Sequence, residues 1–182
     1  MTHDRADREA WTVYDADRIP TGATMYRGDA FRPGDLQLVV HVCVFDGAGR
    51  LLLQRRAEDK QLWPGRWDVT AGGAVHAGET SAEGAQRELF EEMGLELDLS
   101  VTRPAFAFHF RRGFDDFYLV TADPRIEDLA VSNPEVTAAR WATRKEVRDL
   151  GGRGEFVPYR ASAVDLVFDM VGREDVLDSN AW

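Results

Sequence analysis

The stretch TSAEGAQRELFEEMG, Thr80 to Gly94, constrains this chain most, because it marks a helix at both ends. Thr80 reads as the N-cap, and Glu83 three residues later completes a capping box, each side chain satisfying a free backbone N–H of the other. Gly94 supplies the left-handed stop that residues with a Cβ adopt reluctantly. Between them Ala82, Ala85, Leu89 and Met93 fall within roughly 80° of one another at about 100° per residue, an apolar stripe that faces a core. Glu88, Glu91 and Glu92 lie on the other side, with Glu92 nearest the boundary. Like charges at i, i+3 and i+4 destabilise a helix by about a few tenths of a kcal/mol per pair. Either that face is simply solvated, or something cationic sits on it.

Strand patterns surround the helix. WTVYDADRIPTG reads as a hairpin, LQLVVHVCVFD (36–46) and RLLLQRR (50–56) as two strands joined by a glycine turn, and DVTAGGAV as a short strand ending in a glycine pair. Further strands are expected at 104–111, at 114–122 and in NPEVTAARWAT. TRKEVRDL reads as a short helix and 159–172 as an amphipathic C-terminal helix. Residues 1–10 read as a flexible polar leader and 11–182 as one domain. Strands and helices alternate throughout, so the expected class is α/β (or α+β), a mixed sheet between helices.

Composition narrows the partners. At 182 residues the chain is long enough for a real core. A formal net charge of −10 argues against a nucleic-acid polymer or an anionic membrane as partner. A small phosphorylated ligand stays open, because a bound metal inverts the local field. Cys43 is the only cysteine, which excludes a disulfide framework and a thiolate zinc cluster. MTHDRADREAW has no apolar signal region, and the longest apolar runs fall short of a membrane span. The expectation is a cytoplasmic protein acting on a small molecule; a homodimer is compatible with it.

Three carboxylates on one helix face beside a Gly-Gly turn suit hard divalent cations, which prefer oxygen ligands and clamp diphosphates. Residues 73–95, GAVHAGETSAEGAQRELFEEMGL, resemble the Nudix box, with Gly73, Glu79, Arg87, Glu88, Leu89, Glu91, Glu92, Gly94 and Leu95 in place and no insertion. The resemblance implies an α/β/α sandwich. It also implies Mg²⁺- or Mn²⁺-dependent cleavage of a nucleoside diphosphate linked to another moiety. It makes Glu88, Glu91 and Glu92 metal ligands, gives Glu88 base character, and adds the Gly72 carbonyl as a ligand. It pairs Glu79 with Arg87. Gly84 departs from the usual alanine, at about 1 kcal/mol of helix propensity.

A wider stretch, IPTG to LLLQRRAEDKQLWPGRWD, is similar to the isopentenyl-diphosphate isomerase branch of the same superfamily. In that branch basic residues matching Arg56 and Lys60 contact the diphosphate; a solvated loop is the plainer reading of both. The isomerase's cysteine and histidine are replaced by Ala71 and Gly73. Its other histidine ligands fall near Ala30 and on Gln37, and its catalytic glutamate at about Asp116. These departures favour a hydrolase over an isomerase, and the intact carboxylates favour it over a ligand-sensing module. Asp116 and Glu135 are candidates for a base or extra ligand outside the box. Cys43 and His41 read as core residues of a buried strand, His76 as a variable loop position, and Trp63, Trp67, Trp141, Phe106 and Phe108 as packing.

Overall fold

The computed structural model describes residues 8–131 and 133–173. Its elements are β1 (Ala10–Tyr14), β2 (Pro20–Tyr26), β3 (Gln37–Phe45), β4 (Leu51–Arg56), β5 (Trp67–Asp68), β6 (Ala71–Ala74), α1 (Ser81–Met93), β7 (Phe106–Phe110), β8 (Gly113–Thr121), β9 (Val136–Ala142), α2 (Arg144–Gly152) and α3 (Ala161–Met170). A short 3-10 turn at Ile126–Asp128 was not expected from the sequence. Residues 1–7 of the expected leader lie outside the described residues; of its remaining residues, Arg8 pairs with Asp29 at 2.9 Å and Ala10 opens β1.

β3 organises the sheet. It runs parallel to β8 along its whole length, from Gln37↔Gly113 to Phe45↔Thr121, and antiparallel to β6 over Val39–Val42. β7 extends the sheet beyond β8, and β4 carries β9 and β5 on the far side. A parallel pair needs a long crossover, and α1 with β7 supplies it. The alternation of β3 divides the core. Val40, Val42 and Val44 pack towards Ala85, Leu89 and Met93 of α1, while Cys43 and Phe45 pack towards Val147, Leu150, Val167 and Phe168 of α2 and α3. Both faces of the strand are therefore packed, and its second half, Val42–Phe45, is buried throughout, as its valine-rich sequence requires. The result is the expected sandwich of helix, mixed sheet and helix. No helix among the described residues is long and apolar enough to cross a membrane.

Two elements differ from expectation. DVTAGGAV is two strands, because Thr70 interrupts it: its hydroxyl donates to Leu52 O at 2.6 Å and accepts from Val44 N–H at 2.9 Å. That bond lets β5 pair with β4 while β6 turns onto β3. The C-terminal helix is shorter than 159–172 and has no side-chain N-cap.

The helix α1 forms as its sequence dictates. Thr80 and Glu83 complete the capping box, and Gly94 ends the helix at φ 68°. Gly84, the departure from alanine, has a packing reason: an added Cβ would lie 2.9 Å from Val75 Cγ2.

Candidate functional site

The glutamate face is not a solvated one. Glu92 is 2% exposed and Glu88 9%, whereas Glu91 is exposed. Glu92 Oε2 accepts from the Gly72 N–H at 3.0 Å and from Gln54 Nε2 at 2.6 Å, and no cationic side chain among the described residues touches it. Burial, reinforced by the charge of Glu88, pushes the Glu92 carboxyl up to about 8. Burial also raises Glu88, against the pull of Arg87 and with a push from Glu91 and Glu135. Gly72 and Gly73 make room for this arrangement. A Cβ on Gly73 would collide with the Glu88 carboxylate, and one on Gly72 would lie 2.8 Å from His41 Nδ1.

Arg87 ties the site to its loop. Its Nε and Nη2 meet the two oxygens of Glu79 at 2.9 and 3.1 Å, and Nη2 also donates to Ala74 O at 2.9 Å. Nη1 reaches Glu88 at 2.7 Å and Glu91 at 3.1 Å. Burial alone would lower the guanidinium's pKa, but its bonds to Glu79 and Glu88 raise it. Glu79 is likewise opposed by burial and held below the usual carboxylate range by Arg87 and the His76 N–H. The expected Glu79–Arg87 pair is thus present, and it fixes the loop between β6 and α1. The β1–β2 hairpin braces the same loop, Ala77 N–H donating to Ala10 O at 2.7 Å.

The chemistry of Glu88 and Glu92 fits a hard divalent cation. Both are oxygen donors held close together, and Glu92 keeps a buried carboxyl with only neutral donors on it. Glu91 does not join them; it lies on Arg87. Among the described residues no three His, Cys, Asp or Glu side chains gather at one point that could hold an ion.

The two outside candidates part company. Asp116 lies on the α1 side of β8, 1% exposed, where it accepts from Ser81 Oγ at 2.7 Å and pairs with Arg18 at 2.8 Å. Arg18 adopts φ 62°, a conformation disfavoured for a residue with a side chain, to make that contact. Asp116 therefore anchors the hairpin to the start of α1. Glu135 is brought to the glutamates instead. Asn133 donates to Glu92 O at 3.0 Å and accepts from the Glu135 and Val136 N–H groups, both at 2.8 Å, pinning this loop to the end of α1.

Lys60 and Arg56 both hold carboxylates. Lys60 Nζ is 2.6 Å from Glu135, and Arg56 Nη1 is 3.3 Å from Asp68. Arg55, its neighbour, points outward to Gly65 O and Glu58. Cys43 is fully buried and burial raises its thiol. His41 stacks on Phe117 at 4.6 Å and lies 3.4 Å from Asp115, a packed histidine as expected. Phe106, Phe108, Trp67 and Trp141 pack against the core, but Trp63 is 43% exposed.

Sequence reasoning missed Gln54, Asp68, Asn133 and Tyr159. Gln54 could have been found, as the uncharged polar side chain that continues the apolar run LLL of β4. The others could not be placed from local pattern, because the partners that tie them to this region are 12 to 118 residues away.

The fold and this arrangement define a hydrolase of phosphorus-containing acid anhydrides. The chain matches the NUDIX domain model over residues 35–161, and it belongs to the Nudix family. It is 45% identical to an uncharacterised Nudix hydrolase of Listeria monocytogenes over 151 residues, 83% of this chain and 89% of that protein. A crystal structure of a Deinococcus radiodurans protein superposes with a TM-score of 0.71 at 24% identity, covering 89% of this chain and 99% of that one. A bifunctional NMN adenylyltransferase/ADP-ribose pyrophosphatase of Francisella tularensis, solved with AMP and a Mn ion, superposes with a TM-score of 0.60 at 18% identity over 78% of this chain and 43% of that one.

Proposed function

We propose that this enzyme cleaves a diphosphate bond in a nucleoside diphosphate linked to another moiety, or in a related organic diphosphate, with Mg²⁺ or Mn²⁺ held by Glu88, Glu92, the Gly72 carbonyl and Glu91, which would leave Arg87 to join them. The observation that carries this reading is the buried Glu88–Glu92 pair, in which Glu92 has no cationic partner among the described residues. When bound, the ion would neutralise charge on the leaving phosphate and acidify a water. Glu88, raised above the ordinary carboxylate range by burial, suits the role of proton acceptor. Arg87 and Glu79 hold the helix and loop in register. Lys60 and Arg56 would meet the phosphates.

Isomerisation of an isoprenoid diphosphate is the competing reading, suggested by the similarity around Arg56 and Lys60. It needs a proton donor and an acceptor on opposite faces of an alkene. Ala71 offers neither, a side chain at Gly73 would strike Glu88, and the Cys43 thiol is shut in the core. We therefore favour a hydrolase of that branch. With its single cysteine buried, it suits the reducing cytoplasm.

The test is a screen of nucleoside di- and triphosphates, nucleotide sugars, dinucleotides and thiamine diphosphate with Mg²⁺ or Mn²⁺. Release of phosphate or a nucleoside monophosphate, abolished by EDTA, is the expected result. Binding without turnover of any of them would point to a sensing module. Dimethylallyl methyl signals in proton NMR of isopentenyl diphosphate incubated with the enzyme would point to the isomerase.

A further inference from the structure

Asp68 is a buried carboxylate that the reading above leaves without a task. It is 8% exposed, and its oxygens are approached from three elements. Oδ1 accepts from the Val69 N–H at 2.8 Å and from the Tyr159 hydroxyl at 2.9 Å, and Oδ2 faces Arg56 Nη1 at 3.3 Å. Burying a carboxylate is unfavourable unless it is paired, and this one also repels Glu92. A further negative charge beside the glutamate pair is the least favourable choice for stability alone.

What Asp68 secures is the direction of Arg56. The guanidinium is gripped at Nη1 by Asp68 and at Nε by Leu62 O at 3.1 Å. A guanidinium has five N–H donors in a fixed fork, so two anchors leave the rest of the fork aimed in one direction. The grip itself lies next to the strand position that holds Glu92, past a bulge between Arg55 and Arg56 in β4. Gln54, the partner of Glu92, is the register partner of Asp68 across β4 and β5, and Arg56 is two residues further along β4. Tyr159 belongs to the segment leading into α3, more than 90 residues away in sequence, and its hydroxyl closes the far side of Asp68.

We propose that Asp68 is a positioning residue for diphosphate recognition, aiming Arg56 at phosphates beside Glu92, and that Tyr159 makes the segment before α3 part of this grip. The inference rests on the reading of Arg56 as a phosphate contact. It predicts that the three residues act as one unit on anion binding, through Arg56.

Titration calorimetry with inorganic pyrophosphate and Mg²⁺ tests it on the full chain. Arg56→Ala and Asp68→Asn should each weaken binding about ten-fold, the size of one charge-assisted hydrogen bond, and Tyr159→Phe about three-fold. In the Arg56→Ala background, Asp68→Asn should cost no more than about two-fold, because the group it aims is gone. A purely structural Asp68 would instead lower the melting temperature and weaken binding alike with and without Arg56. Asp68→Asn binding as tightly as the parent while Arg56→Ala does not would overturn the positioning role alone. Equal binding by the parent and Arg56→Ala would overturn the phosphate role of Arg56 and this inference with it, while the hydrolase reading would still stand or fall by the substrate screen. Should Asp68→Asn not fold, Tyr159→Phe decides the matter, since it leaves the Asp68–Arg56 charges in place: unchanged pyrophosphate affinity would overturn the proposal.

Discussion

The two halves of α1 treat charge in opposite ways. At its N-terminal half every charged group has a partner of opposite sign or a backbone donor. Glu79 is forked onto Arg87, Glu83 caps the backbone of Thr80, and Asp116 binds Ser81 and Arg18. At the C-terminal half Glu88 leans on Arg87, while Glu92, buried beside it, has only an amide and a backbone N–H among the described residues. The first half stabilises the fold. Glu92 is a buried carboxyl from which the fold gains little, which is the signature of a site prepared for a ligand. The first half also holds the second still: Arg87 spans both, from Glu79 and Ala74 to Glu88 and Glu91.

The comparison is broken most forcefully at Arg87. Arg87→Met removes the partner of two largely buried carboxylates, and breaking a buried pair from one side typically costs about 3–5 kcal/mol. Urea unfolding should show a loss of that order, with the loop between β6 and α1 the first part to exchange its amide hydrogens. A loss below about 1 kcal/mol would mean that Glu79 and Glu88 are satisfied without it.

Glu92→Gln should do the reverse. The amide is isosteric, and it removes a carboxyl whose pKa burial has pushed up to about 8, so at pH 8.5 the melting temperature should not fall. Activity should fall about 10²-fold or more in kcat, roughly 2.7 kcal/mol of transition-state stabilisation. Near-parental turnover on a good substrate would remove Glu92 from the metal site.

These contrasts also explain what the sequence disclosed. The limits of α1, its capping box and most of the strands were legible because they rest on local spacing or on period-two alternation, and the Glu79–Arg87 pair because the Nudix-box resemblance implied it. The burial of Glu92 was not. Helical periodicity put it at the boundary of the polar face, but the side it lands on is set by Gln54 and Gly72, which belong to strands folded over it. Asp116 and Glu135 looked equivalent in sequence. The pleat of β8 sends Asp116 towards α1, while Asn133 staples Glu135 beside the glutamates. Arg56 was legible as a cation in a suggestive place, but not the Asp68 and Tyr159 that hold it, since Tyr159 comes from a segment whose pairing no local pattern encodes.

A divalent ion should sharpen the same difference. Binding the folded state only, Mg²⁺ or Mn²⁺ at about ten times its dissociation constant stabilises by about 1.4 kcal/mol. Thermal scans in EDTA and in millimolar metal should therefore separate by a few degrees for the parent and coincide for Glu92→Gln. Coincident scans for the parent would leave the glutamate pair without a cation.

The smallest effect is expected at Gly84, where local and tertiary preferences oppose each other. Alanine gains about 1 kcal/mol over glycine in a helix interior. Here its methyl group would stand 2.9 Å from Cγ2 of Val75, a buried, β-branched side chain with little rotamer freedom. Overpacking a closed contact costs about 1–3 kcal/mol, so the net change is a destabilisation of about 1 kcal/mol, a few degrees in melting temperature. The sign is the informative part. Gly84→Ala alone should lower the melting temperature, and Val75→Ala alone should lower it through a lost core contact. Together they should lower it less than the sum, because the methyl introduced by Gly84→Ala occupies space that the valine side chain has vacated. An increase for Gly84→Ala alone would show that helix propensity outweighs the Val75 contact, and that α1 could sit against the loop as closely with the alanine more usual at this position.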